Sequence, residues 1–481
     1  MRAAPKGSGK SSSLTWSRRG FAFLSFLLTS AAAHGSTDIA LAAVPVPPSP
    51  EEPEQASRLR LSTAESTEDR FIARGQSTYV WTRKFGFDAP YTGPQSLRTQ
   101  PESSYTLSFT AYLGARLWKG GELYVNPEAF QAHPLSGLFG LAGIQNGELQ
   151  KASGPELRAY GARLFLRQSF GLGGESFQVA PGLNQLATRY ERRRLVVTMG
   201  KLSIIDLFEK NTYANDPRTQ FMNWSLITYG AYDFAADARG YDIGGAMELY
   251  WDDWAVRIGR FMEPRVANGR SLHYNLFSTY GDQLEVEHDH EIHGKPGLVR
   301  FLVYRNLANA GRYQDAVAAA AATGSIADIT AVRGRNAKLG EGVSIEQTLP
   351  ASVGIWMRAL YVNNPVEEYA FTEIDNSVSG GLSLKGSAWR RPNDTLAAAF
   401  SSNGLDGSHR DYLAAGGLGG FLGDGQLRNY GRETVVETYY SALVYSGIHL
   451  TLDYQLIANP GYNADRHGPV HLLSGRIHVE F

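Results

Sequence analysis

From Tyr105 to the C-terminus, apolar and polar residues alternate with a period of two, the spacing of a strand whose faces meet different surroundings. The stretch 447–457 is the plainest case. Ile448, Leu450, Leu452, Tyr454 and Leu456 share one face, and His449, Thr451, Asp453 and Gln455 the other. The chain ends the same way, with Leu473, Ile477, Val479 and Phe481 opposed to Ser474, Arg476, His478 and Glu480. Arg163 and Arg167 alternate with Leu164 and Leu166; Arg300 faces away from Val299 and Phe301, Glu248 from Met247 and Leu249, and Glu285 and Glu287 from Leu284 and Val286. One such strand suits a soluble sandwich as well as a membrane barrel, so length and number must separate them.

The pattern predicts roughly sixteen strands, at 105–118, 120–130, 157–170, 192–204, 240–251, 253–262, 283–292, 297–305, 340–349, 351–362, 367–374, 376–387, 394–402, 432–445, 447–458 and 468–481. Many reach the roughly 9–11 residues that a tilted strand needs to cross a bilayer, against about five or six for a soluble strand. Pro350, Ser446-Gly447 and Asp252-Asp253 read as tight turns, whereas 205–239, 263–282, 306–338 and 403–431 are long excursions. Short turns on one rim and long loops on the other define the expected fold, an all-β transmembrane antiparallel barrel of about 16 strands over residues 102–481. Ala316–Ala322 predicts a short loop helix. Tyr250, Trp251, Trp254, Tyr439, Tyr440, Tyr445 and Tyr454 cluster near turns, where interfacial aromatic girdles lie.

The N-terminus sets the compartment. Arg2, Lys6, Lys10, Arg18 and Arg19 precede the apolar run Phe21–Leu28 and small residues, the order of a secretory signal peptide over 1–42, cleaved after Ala33 or Ala42. Residues 43–101 follow as a Pro-rich acidic linker and an N-terminal segment in which only Thr78–Thr82 looks strand-like. An amphipathic last strand ending in Phe481, behind a signal peptide, fits an address for the outer-membrane barrel assembly machinery.

Composition narrows the partners. Lys+Arg number 46 against 47 Asp+Glu, which removes nucleic acid as an obvious partner, and 19% charged residues is low for a soluble chain. There is no Cys, so disulfides, thiol nucleophiles and Cys-ligated zinc are excluded. His290-Glu291-Ile292-His293 is one residue short of the H-E-x-x-H zinc motif and lies in a strand pattern, and no G-x-S-x-G elbow is present. No cofactor and no enzymatic activity is expected.

The segment Asp206–Arg239 stands out, being rich in amide, carboxylate, guanidinium and aromatic groups. Such groups hydrogen-bond hydroxyls and stack on pyranose faces. It predicts a loop folded into the lumen, with Asp216, Arg218, Asn223 and Trp224 narrowing the passage. Inward Arg163, Arg167, Arg257, Arg300 and Arg358, with Glu248, Glu285, Glu287 and Glu346, would line the pore.

The runs Gly143–Glu148, Arg163–Gln168, Asp216–Trp224, Tyr250–Ala255, Glu285–His290, Asn403–Leu405, His409–Tyr412 and Leu452–Gln455 resemble the carbohydrate-selective (OprB-type) porin family, in order, from about residue 105 to Phe481. The resemblance implies a sixteen-stranded barrel in the Gram-negative outer membrane for passive, weakly selective sugar diffusion into the periplasm. Its partners would be mono- or oligosaccharides and outer-membrane lipid, and its state a monomer or homotrimer. A conduit for polysaccharide export is the alternative.

Overall fold

The computed structural model describes residues 68–481 apart from 152–153, 364–365, 372 and 467. The expected signal peptide and the linker up to residue 67 lie outside the described residues.

Sixteen antiparallel strands close into one barrel, each paired with its sequence neighbours, and the first is sealed to the last. They are β1 (Phe71–Lys84), β2 (Glu102–Trp118), β3 (Gly121–His133), β4 (Arg158–Val179), β5 (Thr188–Leu202), β6 (Asp242–Trp251), β7 (Trp254–Met262) and β8 (Tyr280–Ile292). β9 (Lys295–Gly311), β10 (Arg333–Leu349), β11 (Val353–Asn363), β12 (Asn376–Lys385), β13 (Thr395–Gly404), β14 (Glu433–Tyr445), β15 (Ile448–Ala458) and β16 (Val470–Glu480) complete the circuit. Among the described residues no helix is long and apolar enough to cross a membrane.

Alternation is what sorts the two faces. On β15, Leu450 and Leu452 are 44% and 61% exposed, while Asp453 and Gln455 are at most 1% exposed. A globular sandwich would invert that arrangement. Here Phe109, Leu113, Met247, Ile258, Phe301 and Leu382 form an uncovered outer surface, and the polar positions turn inward. Closure joins β1 to β16, so every strand is paired on both sides along most of its length. The same alternation corrects two girdle expectations. Trp251 and Trp254 face outward, but Tyr250 and Tyr439 sit on inward positions of their strands and are buried.

The strand count agrees with expectation, but two of its members change. The barrel starts at Phe71, not near residue 102: β1 pairs with β2 along its whole length and with β16 from Gln76↔Glu480 to Lys84↔Leu472. Its signal is weak because the outward face carries Gly75, Ser77 and Arg83, and the inward face Ile72 and Val80. The expected strand at 367–374 is a loop. Its Tyr369 and Ala370 amides donate to Asp233, and Phe371 packs on Trp224 and Phe234 instead of joining the wall.

The connections 119–120, 252–253, 293–294, 350–352 and 446–447 are short and lie on the rim where β1 begins and β16 ends. On the opposite rim 134–157, 203–241, 312–332 and 405–432 are long. The loop helix expected at 316–322 is α2 (Tyr313–Thr323), which buries Tyr313, Ala316 and Ala320 and ends at Gly324 in the left-handed region. It follows the single-turn α1 (Trp224–Ile227). A third, α3 (Gly407–Ala414), is capped by Asp406.

Candidate functional site: an inner loop across the lumen

Residues 203–241 fold into the barrel and bond to its wall on many sides. Arg163 on β4 grips Asp206 with two bonds of 2.6 Å. Glu285 on β8 accepts the Glu209 amide at 2.7 Å, and Glu346 on β10 accepts the Thr212 amide at 2.7 Å. Arg218 reaches across to Thr110 on β2 (2.9 Å) and Glu128 on β3 (2.7 Å). Arg476 on β16 donates to the carbonyls of Pro217, Thr219 and Gln220. Glu437 on β14 accepts the Met222 and Asn223 amides. Such a loop buries many backbone groups, and inward carboxylates and guanidiniums supply the partners that water would otherwise provide.

A second inward segment supports the first. The Gly147 amide donates to Met222 and the Trp224 amide to Ile144, while Glu148 binds Arg218 at 2.8 Å. Gly143–Glu148 and Asp216–Trp224, two runs that carried the family resemblance, therefore pack on each other.

Between the inner loop and the barrel wall, chiefly β4 to β6 but reaching β1 and β2 on one side and β8 and β9 on the other, lies a cavity of about 490 Å³. Of the residues expected to line the pore, Arg163, Arg167, Asp216, Arg218, Trp224, Glu248, Glu287 and Arg300 border it. Asn223, Arg257, Glu285, Glu346 and Arg358 face inward but sit behind that surface. Asn223 is fully buried, caps α1 by accepting the Ser225 amide, and donates to Gln455. Arg257 is held by Glu248, Glu285 and Glu287 at 2.8–3.1 Å. Glu346 and Arg358 anchor the loop. Asp216 stays local, taking the Arg218 amide and the Thr219 hydroxyl.

Burial and neighbouring charge compete at the anchors. Burial raises the Asp206 carboxyl, but the Arg163 guanidinium and the Ser203 amide hold it below its ordinary value. For Glu209 burial wins over Arg358, and its carboxyl is pushed up to about 7.

Alternation alone did not single out several cavity residues. Arg194, Tyr190 and Phe177 line its end beside the short turns, where Asn184 and Gln185 of the connection 180–187 also turn inward and meet Arg167. The signal was present for Arg194, whose even-numbered neighbours Val196 and Thr198 are buried as well. The His288–His293 run is used otherwise: His288 stacks on Trp254 at 4.3 Å and His290 bonds Gln347.

A closed sixteen-stranded barrel with an apolar exterior and a polar interior crossed by a loop is an outer-membrane pore. Residues 94–481 match the model of the carbohydrate-selective porin, OprB family, and the chain belongs to that family. It is thus an outer-membrane porin for passive carbohydrate diffusion, a channel rather than an enzyme. The chain is similar to the high-pH structure of Pseudomonas putida OprB, with TM-score 0.67 and 15% identity over 86% of this chain and 94% of that one. Its similarity to the outer membrane channel DcaP of Acinetobacter baumannii is lower, with TM-score 0.47 and 11% identity over 87% and 99% of the respective chains. No match is found among curated proteins.

Proposed function

We propose that the inner loop is the size filter of a weakly selective sugar pore that opens into the periplasm. The observation behind this reading is that one segment, 203–241, bonds to lumen-facing groups from β2 around to β16 and leaves a cavity of about 490 Å³ chiefly beside β4 to β6, which we take as the passage. Fixed hydrogen-bonding groups along that passage exchange with sugar hydroxyls, and no step requires energy input or a cofactor.

The long connections face the cell exterior and the short turns the periplasm, as in other barrels inserted from the periplasmic side. Residues 1–42 direct export, Phe481 addresses the chain to the assembly machinery, and the outer face meets lipid. The barrel works as a monomer or homotrimer, which mass measurement in detergent distinguishes. In liposomes, monosaccharides should pass faster than amino acids of similar size; equal swelling rates would remove the selectivity claim.

A further inference from the structure

Charge pairing around the cavity is uneven, and the imbalance points to a substrate class within the sugar-porin reading, on which this inference rests. Eight Lys or Arg residues border the cavity against five Asp or Glu. Four of the eight cations are neutralised locally. Arg163 is paired with Asp206, Arg218 and Lys151 with Glu128 and Glu148, and Arg300 with Glu287 and Glu346. At the end beside the short turns, Arg167 is only distantly paired, with Glu122 at 4.0 Å, and among the described residues Arg194 is not paired at all.

Arg194 is only 7% exposed. Its guanidinium lies 3.7 Å from the Tyr250 ring centre, 5.1 Å from Tyr190 and 5.4 Å from Phe177. Its one hydrogen bond is a long 3.5 Å contact to the Glu191 carbonyl, and its Nε has no acceptor. The Thr198 hydroxyl, paired in register with Arg167 and on the same inward row as Arg194, is likewise buried without a partner. A buried cation with unused donors, held by rings, awaits an anion. Aromatic walls beside it suit the apolar face of a pyranose.

We propose that Arg194, with Arg167 and Thr198, forms a subsite for sugars that carry a carboxylate, the hexuronates and aldonates. One guanidinium fork matches one carboxylate, and the half-apolar setting favours a monoanion over a doubly charged phosphate.

The test is uptake by proteoliposomes of the full barrel in low-salt buffer, using glucose, glucuronate and glucose 6-phosphate. Glucuronate should enter about fivefold faster than glucose, the factor that one hydrated charge pair in contact supplies. In R194Q the ratio should fall to about one, whereas R192Q, which removes an exposed charge from the same strand outside the cavity, should keep it. Retained heat-modifiable migration on gels certifies that each variant is folded. A wild-type ratio near one, an equal fall in R192Q, or faster passage of glucose 6-phosphate than of glucuronate would overturn the subsite. Failure of glucose itself to pass would instead strike the porin reading.

Discussion

Arg358 donates through Nε to Glu209 at 2.5 Å, and through its other two nitrogens to the carbonyls of Leu226 at 2.7 Å and Ala214 at 2.5 Å. One wall guanidinium on β11 thus pins three separate points of the inner loop. Arg358→Ala would leave a buried carboxyl and two carbonyls without partners, a loss of about 3–5 kcal/mol for a buried pair broken on one side. The expected outcome is a looser loop with larger and noisier single-channel conductance, and a lower temperature for the gel-mobility shift. Wild-type conductance in a folded R358A barrel would show that the loop is held elsewhere.

Trp224 and Arg218 border the passage directly, so their truncation tests its width. Trp224 packs on Phe371 at 4.5 Å and Phe234 at 6.0 Å, and its loss opens a void beside the cavity. Arg218→Ala removes the bridge to Glu128 and Glu148. Both variants should conduct more ions than wild type and be blocked less by sugars in planar bilayers. Unchanged conductance and block would exclude this part of the loop from the narrowest section.

The barrel was legible because its two faces differ chemically at every second residue, so Leu452 against Asp453 already defines an inside and an outside. β1 escaped because Gly75 and Arg83 interrupt its oily face; its place is fixed by pairing with β16, across almost the whole chain. The strand predicted at 367–374 had suitable residues, but Tyr369 and Phe371 are claimed by the inner loop. At the site, strand period identified inward charges such as Arg257 and Arg163 alike. It could not say that Arg257 lies behind the surface and Arg163 on it, since that depends on where the loop rests.

The seam between β1 and β16 offers a third test. Gly75 and Phe481 exchange both backbone hydrogen bonds, at 2.8 and 3.0 Å, and the Phe481 ring lies where a side chain at position 75 would start, 2.4 Å from its Cβ. Gly75→Val should push that ring away, and deletion of Phe481 should remove the last pairing. Both should lower the yield of heat-modifiable barrel in outer-membrane fractions, the deletion more so, because the terminal Phe also serves as the proposed address. Equal yields for all three proteins would separate the seam from assembly.

The raised carboxyl of Glu209 predicts a pH dependence with a definite sign. Burial, opposed by Arg358, moves it from 4.5 to about 7, so between those values the folded barrel keeps a proton that the unfolded chain has released. Stability should therefore fall as pH rises from about 4.5 to 7 and show no further contribution from this group above that. Glu209→Gln cannot titrate and keeps an acceptor for Arg358, so its stability should lack this component. The measurement is the gel-shift midpoint temperature at pH values across the window for both proteins. A steeper decline in wild type than in E209Q is the expected result, and parallel curves would assign the titration to other groups.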